Sequence, residues 1–288
     1  MVEQTQHTKG AAFRKLHQGP EILLLPNAWD VASAVLMEQA GFPAIATTSS
    51  GVALANGFPD GEHIGRSRML EIVARIAERV KVPVSADLEG GYGPQPDDVA
   101  ETIRQAIGVG VVGANIEDSA HAGNQPLVPT PLAAERVRAG ASTAKATGVP
   151  FVLNARIDVY LRDARGNEAE RFAETIRRAH AYRDAGADSL FIPGVSDPTT
   201  IRRLATEIGL PLNVLGAFSG QSAPPLHELQ ALGVRRVTLG GSLAMYGWAM
   251  VLRALAEVRS TGRFEYATHA MSNAELNRLM RETEAQRA

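Results

Sequence analysis

The 288-residue chain contains no cysteine, few aromatics (5%) and little net charge, with 29 basic residues against 31 acidic ones. Without cysteine there is no disulfide framework, no thiolate zinc or iron–sulfur site and no cysteine nucleophile. A formal charge of −2 supplies no general attraction to nucleic acid or an anionic membrane, so neither is expected as a partner. No apolar run approaches the roughly 18 residues needed to span a bilayer. Residues 1–20 (MVEQTQHTKGAAFRKLHQGP) are too polar for a secretory h-region. A soluble, cytoplasmic protein is expected.

What the chain does have is a repeated alternation. Short Val/Ile/Leu/Ala runs at 22–26, 44–49, 82–88, 111–118, 151–158, 189–195, 212–218 and 235–241 read as parallel strands buried on both faces. Helix-period segments follow them at 31–40, 66–80, 96–107, 131–147, 167–185, 197–208, 224–231 and 242–260. Gly41, Gly186 and Gly233 suit left-handed C-caps where the chain turns back into the sheet. Eight successive strand–helix units predict an α/β fold, a (β/α)8 TIM barrel, over an open sheet with an insertion. Gly90-Gly91-Tyr92-Gly93 lacks the spacing of a dinucleotide fingerprint and follows an acidic strand end, which would repel a pyrophosphate. The whole chain, 1–288, reads as one barrel domain, with 261–288 as a C-terminal helical extension. Ser272-Asn273-Ala274-Glu275 is a capping box for a last helix to about residue 286, outside the eight units and free to pack on another subunit.

Catalytic groups of such barrels sit at the C-terminal ends of strands. Here those ends are polar: Thr48-Ser49-Ser50-Gly51 with a loop to Asp60, Asp87-Leu88-Glu89, Asn115-Ile116-Glu117-Asp118, Asn154-Ala155-Arg156-Ile157-Asp158, and Asn213. Carboxylates that converge on one rim cannot all ionise unless a cation holds them. Oxygen ligands without Cys or His point to a hard ion, Mg²⁺ or Mn²⁺. Asp87 would bind it directly, with Glu89 and Glu117 holding metal-bound waters. The plainer reading pairs these acids with Arg156 and backbone amides; the number of acids meeting one arginine favours the metal. The 48–51 turn alone is an ST-turn, but beside a metal it can offer N–H groups to a carboxylate or oxyanion. The polar 119–130 segment suits a lid. His121 reads as a solvated loop residue, and no role is assigned to His63, His180, His227 or His269. Trp29 and Tyr92 read equally as pocket walls or as packing.

Several motifs carry a resemblance: Asn27-Ala28-Trp29-Asp30, Gly57-Phe58-Pro59-Asp60, Asp87-Leu88-Glu89-Gly90-Gly91-Tyr92-Gly93, Gly113-Ala114-Asn115-Ile116-Glu117-Asp118 and Asn154-Ala155-Arg156-Ile157-Asp158. In this order the chain resembles the isocitrate lyase / phosphoenolpyruvate mutase superfamily from about residue 12 to 260. The resemblance implies a barrel with a helix swapped between subunits in a dimer of dimers, a Mg²⁺ ion and a small 2-oxo acid. It implies Asp87 as the direct metal ligand, Glu89 and Glu117 in the outer shell, and Thr48, Ser49 and Ser50 as a carboxylate-binding turn. Asp60 would orient the metal site or the reacting group, Arg156 would neutralise the substrate, and Asn213 would line the pocket. Lyases of the superfamily use a cysteine in the loop after the fourth strand. Here that loop reads Ser119-Ala120-His121-Ala122-Gly123-Asn124-Gln125, which removes that mechanism. Asn124 or Gln125 could stand in for the Asn of the phosphonate-handling members, but their Lys is absent. Pro193-Gly194 replaces a Glu found in many lyases at the sixth strand. Decarboxylation or C–C cleavage of a 2-oxo acid through an enolate asks least of this loop. Phosphoenolpyruvate/phosphonopyruvate mutase or hydrolase chemistry is the alternative, and a non-catalytic metabolite-binding barrel a further one.

Overall fold

The computed structural model describes residues 2–120, 126–162, 166–218 and 221–285. Its strands are β1 (Leu23–Leu25), β2 (Asn27–Ala28), β3 (Ile45–Thr47), β4 (Val84–Asp87), β5 (Gly113–Glu117), β6 (Val152–Arg156), β7 (Ser189–Phe191), β8 (Leu212–Leu215), β9 (Ala217–Phe218), β10 (Gln221–Ser222) and β11 (Arg236–Thr238). All but β9 and β10 join one parallel sheet in the order β1-β11-β8-β7-β6-β5-β4-β3-β2. The two ends of that order are halves of one barrel strand, broken at Pro26, which has no N–H to give the ladder. One half pairs with β11 and the other with β3, so the ring closes into the expected (β/α)8 barrel. Asn27 stitches that seam. Its Oδ1 accepts from the amides of Leu239 (2.8 Å) and Gly240 (2.9 Å), and its Nδ2 donates to the Thr47 carbonyl (2.8 Å).

The strands are shorter than their apolar runs because their C-terminal residues leave the ladder to form the rim. Helices start and stop within about two residues of expectation, and Gly41, Gly186 and Gly233 hold the positive φ their C-cap positions require. The main apolar core lies between ring and helices, around Ile76, Ile103 and Leu153. The ring's own interior is polar where such barrels ordinarily carry branched aliphatics. Asn154 donates to Asn115 Oδ1 (2.7 Å) and Ser189 donates to Asn154 Oδ1 (2.7 Å), all buried.

The N-terminal end of the ring is closed by the helix Val2–Gln18, which the strand–helix alternation did not include. Phe13 plugs it, packed with Leu23, Leu25, Ala44, Ala46, Val112 and Val152. Gly10 lies so close to the Pro150 carbonyl that a side chain would not fit. His17 Nδ1 donates to the Phe13 carbonyl (2.8 Å), which leaves Nε2 as acceptor towards Arg236 Nη1 (3.4 Å). Burial, then the Arg236 charge, lowers the His17 pKa to about 4.

At the other end of the sequence, the helix Ser242–Thr261 buries only Ala244 among its residues. The expected last helix spans Asn273–Ala285 and packs on the helix Val31–Gln39, with Arg79 donating to the Met280 carbonyl (2.6 Å). Among the described residues, no helix is long and apolar enough to cross a membrane.

Candidate active site

At the C-terminal end of the ring, Thr48, Ser49, Ser50, Asp60, Asp87 and Arg156 line one cavity of about 330 Å³. Asp87 ends β4 and is buried. Its Oδ2 accepts from the Ser49 amide (3.1 Å) and hydroxyl (2.8 Å), and its own amide donates to Thr47 Oγ1 (2.9 Å). Its Oδ1 is buried without a hydrogen-bond partner among the described residues. The 48–51 turn is more than a turn: Thr48 caps the helix Ser49–Ala55 by accepting from the Gly51 amide (3.3 Å). That geometry aims the Ser49 amide at Asp87 rather than leaving it open to a ligand, while the Ser50 hydroxyl stays in the wall beside Thr48 Oγ1 (3.1 Å).

Arg156 ends β6, and its guanidinium is held on three sides. Nη1 meets Glu117 Oε2 (2.8 Å), Nε meets Asp158 Oδ1 (2.6 Å) and Nη2 meets Asp158 Oδ2 (3.1 Å). Burial works against its charge, but Asp158, Glu117 and Asp87 prevail and raise its pKa. The plainer rim network therefore exists for Glu117, and Asp87 stands outside it. Asp158 also takes the Ser119 hydroxyl, and its amide donates to Asp118 Oδ1 (2.8 Å). Asp118 is anchored in turn by Tyr182 (2.6 Å) and Arg178 (2.9 Å); burial nevertheless raises its pKa to about 6.

Glu89, Glu117 and Asn213 do not line the cavity. Glu89 is 2% exposed and accepts from the Glu62 amide (2.5 Å) and the Tyr92 hydroxyl (3.3 Å). Burial, then the charges of Asp87 and Glu117, push its pKa up to about 8. Glu62, Glu89 and Tyr92 all have positive φ, and Tyr92 donates its amide to Glu62 Oε1 (2.6 Å). This interlocked, strained cluster ties the Asp60 loop to the end of β4. Asn213 is fully buried one layer lower, beneath Thr238, which lines the cavity in its place. Asn124, like His121 and Gln125, lies outside the described residues. Trp29 and Tyr92 pack against the apolar core and are not among the cavity walls.

Asp60 stands at the mouth, where loss of water, then the Asp87 charge, raises its pKa. The sequence reading missed Asn27, Asn115, Thr238, Met245 and Arg162 as cavity residues. The two asparagines lie inside motifs quoted for the resemblance and face inward, which was the available signal. Met245 follows the last strand with no local signature.

Among the described residues, no group of three His, Cys, Asp or Glu side chains is placed to hold a metal together. The arrangement fits a hard ion with one direct carboxylate oxygen, Asp87 Oδ1, and the rest of its shell as water, the habit of Mg²⁺.

The fold belongs to a known class. Residues 13–259 match the family described as phosphoenolpyruvate phosphomutase, and the chain belongs to that family, within the isocitrate lyase/PEP mutase superfamily. A solved structure from Burkholderia cenocepacia J2315, provisionally described as a lyase/mutase, is 41% identical, with a TM-score of 0.90 over 96% of each chain. An uncharacterized protein of Mycobacterium tuberculosis (strain H37Rv) is 35% identical over 85% of this chain and 89% of its own. The 2-methylisocitrate lyase of Escherichia coli K12 is 29% identical over 81% of this chain and 77% of its own. Curated relatives with named activities are 2-methylisocitrate lyases, and this chain is an enzyme of the isocitrate lyase/PEP mutase superfamily.

Proposed function

We propose that this enzyme is a Mg²⁺-dependent lyase or decarboxylase that cleaves a C–C bond of a small 2-oxo carboxylic acid through an enolate. The observation that carries this reading is Asp87 Oδ1, a buried carboxylate oxygen without a partner among the described residues, in the wall of a cavity sized for such an acid. When bound there, the ion would polarise the 2-oxo carbonyl so that a bond β to it can break. Ser49 holds Asp87 through two hydrogen bonds and so fixes where that oxygen points. Glu117 and Glu89 would hold the ion's water shell, and Arg156 would neutralise the substrate carboxylate nearest the ion. Asp60 retains a proton more readily than an ordinary aspartate, which suits it to protonate the enolate carbon. Asn124 would contribute from the loop after β5.

The experiment is turnover of a panel of 2-oxo acids, oxaloacetate included, with Mg²⁺ and with Asp87→Ala as control. No consumption above the metal-only rate would sink the reading. Phosphoenolpyruvate/phosphonopyruvate mutase or hydrolase activity is the second reading, favoured by the matched family. A phosphorus NMR time course on phosphonopyruvate decides between them.

The same reading includes a homo-oligomer, but the helix expected to be shared was the C-terminal one, which packs on Val31–Gln39 of its own chain, so the surface offered to a second copy is that of the helix Ser242–Thr261. Tyr246 (65%), Leu252 (68%) and Leu255 (60%) stand exposed on it, an apolar face that supports burial against a second copy. Light scattering tests the assembly.

A further inference from the structure

The cavity does not end at Asp60. A second cavity of about 400 Å³ adjoins it, walled by Gly61, His63, Ser119 and Pro126, and the two share Asp60 and Arg162. Arg162 closes the short helix Val159–Arg162, whose start follows the end of β6. Its amide donates to the Asp158 carbonyl (2.7 Å), so the backbone beneath this arginine is tied to the residue that grips Arg156. Two guanidinium groups thus spring from one strand end, and they are situated differently. Arg156 is already ringed by Glu117 and Asp158. Arg162 is exposed where the inner cavity opens into the outer one.

That difference bears on charge. A 2-oxo acid presents one carboxylate to the metal at Asp87. A second carboxylate on the same substrate would need a cation of its own. Arg156 has its charge matched by the acids on either side. We propose that Arg162 is a specificity-determining residue that binds the distal carboxylate of a 2-oxo dicarboxylic acid lying across the junction of the two cavities. This rests on the 2-oxo acid reading above and narrows its substrate class. Among the described residues Asp60 is the one carboxylate on that shared edge, and a plain Asp60–Arg162 pairing is the rival role for this arginine.

The test uses the full-length protein with Mg²⁺ and calorimetric binding of a matched pair, 2-oxoglutarate and 2-oxopentanoate, equal in length but differing in the distal carboxylate. The diacid is expected to bind roughly tenfold or more tighter, the discrimination of a charge-assisted hydrogen bond. Arg162→Gln should erase that ratio while leaving 2-oxopentanoate within about twofold, and Arg162→Lys should restore part of it. Equal affinities in the wild type, or equal weakening of both acids by Arg162→Gln, would overturn the proposal and leave Arg162 as a partner of Asp60. The 2-oxo acid reading fails separately, and takes the proposal with it, if neither acid binds with Mg²⁺ and Asp87→Ala changes nothing.

Discussion

The two ends of the barrel bury charge in opposite ways. At the N-terminal end Arg236 is fully enclosed, and the group beside it is a histidine held neutral by burial, over an aromatic plug. At the C-terminal end Asp60, Asp87, Glu89, Glu117 and Asp158 gather around Arg156, with strained backbone at Glu62, Glu89 and Tyr92. The floor quiets its ionisable groups and adds apolar contact. The mouth accumulates like charge that an apolar barrel has no need of. An apolar closure thus lies at one end and the proposed chemistry at the other, and the two ends should fail independently when altered.

The largest effect expected at the mouth is that of Asp87→Ala. Turnover should fall to the metal-only rate, while the metal-free melting temperature stays level or rises, because a like charge beside Glu89 is gone. A large drop in melting temperature would break the comparison. At the floor, Phe13→Ala should cost about 3–5 kcal/mol of unfolding free energy through the cavity it opens. Its kcat per folded molecule should match wild type; a denaturant series beside an activity assay reads both. Next comes a pH effect at the floor, read as the difference between wild type and variant because Glu89 and Asp118 at the mouth titrate across the same range with opposite sign. His17 has its pKa lowered from 6.5 to about 4, so between those values the unfolded chain binds the extra proton. The stability it contributes is complete above pH 6.5 and declines as pH falls towards 4, by about 3 kcal/mol in all. His17→Gln should flatten that slope in chemical denaturation from pH 4 to 7. The smallest effect sharpens the mouth: Glu117→Gln should weaken Mg²⁺ binding roughly 10–100-fold if Glu117 steadies the ion's water shell. Unchanged affinity by calorimetry would assign Glu117 to Arg156 alone.

The barrel was legible because eight β-rich runs alternate with helix-period segments, and each period survives in a single chain. Thr48, Ser49, Ser50, Asp60, Asp87 and Arg156 were legible as one group because each ends or follows a strand, and such ends share one rim. The helix Val2–Gln18 escaped because its segment was read only for a leader, and its polar surface conceals the buried Phe13. The Arg178–Asp118 pair joins positions 60 apart through tertiary packing, which no local pattern announces. Asn213 was placed one layer too high because a motif gives a residue's strand but not its depth in the ring. The 48–51 segment reads locally as a turn that offers its N–H groups to a ligand, because the contact of the Ser49 amide with Asp87 depends on the neighbouring strand.

The seam at Asn27 has a consequence for how this protein is made. Its amide group meets Leu239, 212 positions away, and Gly240 beside it. During synthesis the first strand can pair with β3 early but must wait for nearly all the others before β11, its second neighbour, exists. Ring closure is thus the most non-local event in the molecule, and it falls late. Until then Pro26 and the Asn27 side chain leave the growing sheet an edge poorly suited to pairing with another nascent chain.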